Sequence, residues 1–185
     1  MIDATLLLIA IALAMDSSAI SIAAGATVHH NFRYYAVRAA VIFGIFQGGM
    51  PVAGFIIGDA GKEVISQYTY WIAFIILVAI GGKMCYESLR SGASAQEVGI
   101  ASVPTLLLLA VATSIDALAV GVTFALLDIG ILIAALVIAL VTVAASLAGF
   151  WAGRTMGGYL REWVGLSGGL ILIGIGCMIL LEGVL

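Results

Sequence analysis

Charged side chains are scarce in this 185-residue chain: Asp, Glu, Lys and Arg together make up 9% of it, against roughly 25% in an average soluble domain. So few charges cannot coat a water-soluble globule. The formal charge of −3, with only seven basic residues, leaves no basic stripe and excludes nucleic acid as a partner. Two cysteines, Cys85 and Cys177, stand apart inside apolar segments with no C-x-x-C pair. Disulfide relay chemistry therefore has no support, and both read as small buried apolar residues. Histidine occurs only as the adjacent pair His29-His30 in a polar break, so no His/Cys cluster exists for zinc or copper. That pair reads as solvated loop residues. No nucleotide-binding motif is present, which excludes ATP hydrolysis by this chain.

What remains is apolar: 64% of residues are hydrophobic and the mean hydropathy is +1.26. Stretches long enough to cross a hydrocarbon layer of ~30 Å fill most of the chain. Six spans are expected, at 4–27, 36–58, 68–89, 103–127, 130–153 and 164–183. The first reads as a retained span rather than a cleaved signal peptide, because it opens without positive charge and carries Asp16. Arg33, Arg38, Lys83, Arg90, Arg154 and Arg161 lie in or beside loops one, three and five, and only Lys62 on the other side. By the positive-inside rule both termini are extracytoplasmic. Tryptophans and tyrosines near span ends (Trp71, Trp151, Tyr70, Tyr159) suit interfacial anchors.

The two halves resemble each other. Ala12, Asp16, Ala19, Ile20 and Ile22 recur 100 residues later as Ala112, Asp116, Ala119, Val120 and Val122. Beyond the first interspan loop the offset is 95, as in Gly54-Phe55 with Gly149-Phe150, Gly58 with Gly153, and Glu87 with Glu182. Three spans per half make the second half enter the membrane from the opposite side. The expected fold is thus all-α, six transmembrane helices as two inverted three-helix repeats in one membrane domain. The repeats cover 1–92 and 103–185, with a cytoplasmic linker at 93–102. Such transporters place their binding site near the midplane.

Asp16 and Asp116 sit about a dozen residues into spans one and four, hence ~18–20 Å from their entry faces. A lone aspartate at that depth costs roughly 2.5–3.5 kcal/mol on insertion scales. No Lys or Arg occupies the centre of any span, which favours an exogenous cation or protons, and two carboxylates together neutralise one divalent ion. Thr113 shares the face of Asp116, with Ser114 beside it; Ser17, Ser18 and Ser21 flank Asp16. Gln47 falls at the middle of span two, and Thr142 at the equivalent point of span five. Carboxylate, amide and hydroxyl oxygens suit a hard cation such as Mn²⁺ or Mg²⁺. The candidate metal ligands are Asp16, Asp116, Thr113, Ser17 and Gln47. Each hydroxyl has a second reading as a helix-helix hydrogen bond. Gly48-Gly49 before Pro51 are expected to weaken and kink span two just past Gln47, freeing backbone groups. Glu87 and Glu182 lie near opposite faces; Glu87 either pairs with Lys83, one turn earlier, or serves as a gate or proton acceptor.

The run Met15-Asp16-Ser17 with Ser21 and Gly25, then Phe43-Gly44-Ile45-Phe46-Gln47 through Pro51 to Gly54, then Gly81-Gly82-Lys83-Met84 with Glu87, and above all Thr113-Ser114-Ile115-Asp116-Ala117-Leu118-Ala119-Val120-Gly121, resembles the bacterial manganese efflux pump family over nearly the whole chain. The resemblance implies a six-helix inner-membrane exporter with Mn²⁺ as transported substrate, no bound cofactor, and functional weight on Asp16, Asp116 and Gly25. The first motif departs from the family's usual M-D-A-F-A, reading M-D-S-S-A here, which adds hydroxyls beside Asp16. The implied function is secondary transport, not enzymatic catalysis. An intramembrane aspartyl protease lacks its G-x-G-D and P-A-L signatures here. Export of another divalent cation or a small solute, and a passive cation channel, stay open, as does assembly into a homo-oligomer.

Overall fold

In the computed structural model the chain is described over residues 2–28, 30–65, 69–90, 102–156 and 159–184. It forms six helices: α1 (Ile2–Thr27), α2 (Phe32–Ile65), α3 (Thr69–Arg90), α4 (Val103–Leu126), α5 (Ile131–Met156) and α6 (Tyr159–Val184). Each expected span has its helix, with ends within a few residues for α1 and α3–α5 and longer ends for α2 and α6. Their turns use residues that tolerate left-handed backbone: Asn31 (φ 51°) ahead of α2 and Asp128 (φ 56°) between α4 and α5. Pro104 falls in the first turn of α4, where its missing N–H breaks no helical bond.

Among the described residues four helices are long and apolar enough to cross a membrane, within α1, α2, α4 and α5; α3 and α6 carry shorter apolar stretches at Tyr70–Ile80 and Leu170–Leu181. The outer surface is also apolar, with Ile45, Ile56, Leu108, Leu132 and Ile133 all exposed. A multi-pass membrane protein with its outer faces in lipid accounts for both. Cys177, expected to be buried, lies on this outer surface, where an apolar thiol meets lipid at no cost. Cys85 is half-buried, its Sγ 3.8 Å from the Leu166 carbonyl.

In lipid the apolar effect does not press helices together, so close backbone approach at small residues does. The main seams are α1 on α5, α2 on α4 and α3 on α6, with α2 crossing α5. Gly149 rests on Ser18 and Gly153 on Ile22, so α1 and α5 run parallel. Gly54 rests on Leu118 and Gly58 on Val122, making α2 and α4 parallel as well. Gly44 meets Ala139 while Gly48 meets Ala135, so α2 and α5 are antiparallel. The contacts repeat with the offsets already seen in the sequence: Gly54 and Gly149 are 95 apart, and their rests Leu118 and Ser18 are 100 apart.

Pro51 does not break α2, which runs on through it to Ile65. Its ring still removes one donor, so the Gln47 carbonyl has no helical N–H four residues on. The expected freed backbone group is therefore present inside a continuous helix. Of the adjacent glycines, Gly48 packs against Ala139 and the Ala135 carbonyl, whereas Gly49 has nothing near it.

Candidate functional site

Asp116 is buried on α4 and Asp16 half-buried on α1. The helices carrying them share only a short contact, but the turns around both aspartates enter one apolar cluster. Ala12 and Leu13 from α1, Ala117 and Val120 from α4 and Ile138 from α5 belong to it, and Met15 packs against it. Both acidic turns thus border one apolar cluster.

Gln47 ties α2 into this region. Its side-chain Nε2 donates to the Leu13 carbonyl at 2.8 Å, one turn before Ser17 on α1. Its Oε1 is buried without a hydrogen-bond partner, and its backbone carbonyl is the one that Pro51 leaves without a helical donor. Pro51 is itself buried, with Gly121 of α4 against its carbonyl. Replacing Gln47 by leucine is expected to lower thermal stability in detergent by about 0.6–1.7 kcal/mol, the range of interhelical hydrogen bonds in membranes; a melting curve unchanged from the parent would remove this tie from the account.

The candidate hydroxyls divide into two kinds. Thr113 donates to the Leu109 and Ala110 carbonyls at 3.0 and 3.2 Å, and Ser114 to Val111 at 3.0 Å. A hydroxyl so engaged keeps its lone pairs for a cation. Ser17 is buried with no hydrogen-bond partner, as is Thr142 on α5. Among the described residues no group of three or more His, Cys, Asp or Glu side chains could hold a metal ion. A cation here would be held by carboxylates supplemented by neutral oxygens. Glu87 and Glu182 lie on α3 and α6, and their side chains, with that of Lys83, fall outside the described residues. So does His29; His30 is exposed.

The bundle is packed differently at its two ends. Near the end of α1, Gly25 lies directly on the backbone of Phe150. Phe150 is fully buried, with the ring of Phe32 edge-on at 5.8 Å and the Arg154 guanidinium 4.8 Å over Phe32. At the other end a cavity of about 360 Å³ opens among α1, α3, α4 and α6, lined by Thr5, Ile9, Tyr70, Val120, Thr123 and Asp128 among others. Thr123 lies two turns beyond Asp116 on the same helix face. The seven-residue spacing of Thr123 from Asp116 is readable in the sequence, whereas Asp128 reads there only as part of a tight turn. The cavity itself needs α3 and α6 to be placed against α1 and α4, which no local pattern encodes.

The family described as "Putative manganese efflux pump" matches residues 30–180. A protein of Methanothermobacter thermautotrophicus named "Putative manganese efflux pump MntP" is 46% identical over 180 residues, covering 97% of this chain and 96% of its own. One of Rippkaea orientalis with the same name is 39% identical over 177 residues, 96% of this chain and 95% of its own. A third, from Wolinella succinogenes, is 43% identical over 177 residues, covering 96% of each. No solved structure matches the chain.

Proposed function

The chain belongs to the "Putative manganese efflux pump" family, and from that premise we propose that it exports Mn²⁺ from the cytoplasm as a secondary transporter. Asp16 and Asp116 are the charged ligands of a site near the membrane midplane. Ser17, Thr113 and the Gln47 oxygens complete a shell suited to a hard divalent ion. All six helices span the bacterial inner membrane with both termini outside. The chain is one membrane domain of two three-helix repeats of opposite orientation, 1–92 and 103–185, joined by a cytoplasmic linker at 93–102. The offset-matched glycine contacts of the α1–α5 and α2–α4 seams support that arrangement.

The observation carrying the reading is the convergence of the two acidic turns on one cluster beside Gln47, whose Oε1 is buried and unpartnered. In this account the cation binds the deprotonated pair, the repeats rock about the midplane, and proton binding or membrane potential drives release through the cavity at the Thr123–Asp128 end. Purified protein in proteoliposomes is expected to carry Mn²⁺ with saturable kinetics and to accelerate when a pH gradient or potential is imposed. Cells lacking the protein should accumulate manganese and regain tolerance on complementation. Flux linear in concentration and indifferent to both gradients would convert the pump into a channel; no manganese flux, with normal cellular manganese, would end the proposal.

A further inference from the structure

Hydroxyls in membrane helices commonly donate to a carbonyl three or four residues back. On α4, Thr113, Ser114 and Thr123 all do so, as does Thr27 at the end of α1. Among the described residues, four buried hydroxyls depart from this. Ser17 and Ser21 on α1, and Thr142 and Ser146 on α5, are each 0% exposed and have no hydrogen-bond partner. An orphaned buried hydroxyl is costly, and here four fall on two helices in contact.

They line one seam. A Cβ on Gly149 would lie 3.0 Å from Ser18 Oγ and 3.2 Å from Ser21 Cβ, so this face of α1 looks onto α5. Ser17 is one turn before Ser21 on the same face; Ser146 is one turn before Gly149-Phe150, and Thr142 one turn earlier still. Because α1 and α5 run parallel, the two ladders advance together. They start at the level of the Gln47–Leu13 tie, beside Asp16, and lead toward the Gly25–Phe150 contact. The sister seam is built otherwise. At positions offset by 100 and 95 it has Ala117, Gly121, Gln47 and Pro51 where this one has Ser17, Ser21, Thr142 and Ser146, and Gly121 lies directly on the Pro51 carbonyl. Both seams are closed by backbone contact, this one at Gly25, Gly149 and Gly153, but only this one also carries hydroxyls at these positions.

Spacing selects the ligand. A small cation needs its oxygens about 2.0–2.6 Å from one point, whereas rungs one helical turn apart are separated by about 5.4 Å. A water molecule accepting and donating at about 2.8 Å bridges that span. All four oxygens lie against protein atoms with no space for water beside them in this structure; we propose that when α1 and α5 part, this seam takes up a file of water, separate from the outer cavity, that joins the Asp16 turn to the Gly25–Phe150 end of the bundle. Its use, hydrated access to Asp16 from the side opposite the cavity, rests on the function proposed above; its existence does not.

The test starts from a chain whose Cys85 and Cys177 are replaced by alanine. Ser21→Cys, Ser146→Cys and, for comparison, Ala117→Cys in the sister seam are introduced singly. In proteoliposomes a small water-soluble methanethiosulfonate is expected to modify the first two roughly 10-fold faster than the third, since thiol reactivity follows access. Equal rates would overturn the file. The paired variant Ser21→Ala, Ser146→Ala is expected to insert normally and transport Mn²⁺ roughly 10-fold more slowly, because wetting of the seam depends on its oxygens. Unchanged transport with raised stability would mean that the hydroxyls are only tolerated in packing, and would also overturn it. Normal export by Asp16→Asn alongside reactive cysteines at 21 and 146 would end the manganese-site reading and leave the file standing. Inert cysteines alongside an inactive Asp16→Asn would do the reverse.

Discussion

Asparagine at position 16 or 116 is expected to abolish manganese export while leaving the protein in the membrane. The substitution keeps side-chain size and one carbonyl oxygen, and replaces the charge and the second oxygen by an NH2 group that cannot ligate a cation. At an effective dielectric of about 20, a unit charge about 4 Å from a cation contributes about 4 kcal/mol per charge. A site that loses this should slow by roughly 100-fold or more, since each 1.4 kcal/mol is a factor of about ten. Stability should move the other way. Asp116 is 5% exposed, and an amide at that depth is cheaper to keep in an apolar bundle than a carboxylate. The two signs together separate a ligand role from a structural one: transport falls, while abundance and melting temperature hold or rise. Initial Mn²⁺ uptake in proteoliposomes, with thermal unfolding of the same preparations, reads both. Full transport by the variants, or lost transport with a comparable loss of stability, would remove these carboxylates from the binding site.

The helices were legible in the sequence because a span is a matter of length and hydropathy, and a polar break marks each end. The aspartates were legible for a related reason: a charge twelve residues into an apolar run is conspicuous without any structure. The partners of those helices were not. Soluble helices announce their buried face by its apolar stripe, but a helix surrounded by lipid is apolar all round. On α1 Leu7, Leu8 and Ile11 are exposed, while Leu6, Ile9, Leu13 and Ile22 are buried alongside Ala10, Ala12, Ala14 and Ala24. Leucine and isoleucine occur on both faces, so hydropathy does not mark the packed one. Hydrogen bonding was equally hidden, since nothing local tells Ser114, which bonds its own helix, from Ser17, which does not. The cavity at the Thr123–Asp128 end arises from four helices at once and left no trace except the spacing of Thr123 from Asp116.

Small residues carry the second large prediction, because glycines that look alike in the sequence have opposite surroundings. Gly54 and Gly153 each sit against a backbone carbonyl of the parallel helix, Leu118 and Ile22 respectively, and a Cβ there would overlap main-chain atoms. A side chain in the way can rotate; a helix backbone can only move off. Overpacking of this kind ordinarily costs about 1–3 kcal/mol and more where nothing can yield, so Gly54→Val and Gly153→Val should fall at or beyond the top of that range. Gly49 and Gly174 meet nothing within 4 Å, and Gly49→Val and Gly174→Val should be tolerated, helped by the poor helix propensity of the glycine they replace. Gly54 and Gly49 lie on one helix, five residues apart, so insertion and hydropathy are nearly matched between them. The fraction recovered as monodisperse protein, and its melting temperature, should collapse for the first pair and stay near the parent for the second. If all four valine variants behaved alike, the seams would not be held by close backbone approach. The parallel pairing of α1 with α5 and α2 with α4, on which both the midplane site and the hydroxyl file depend, would then need another cause.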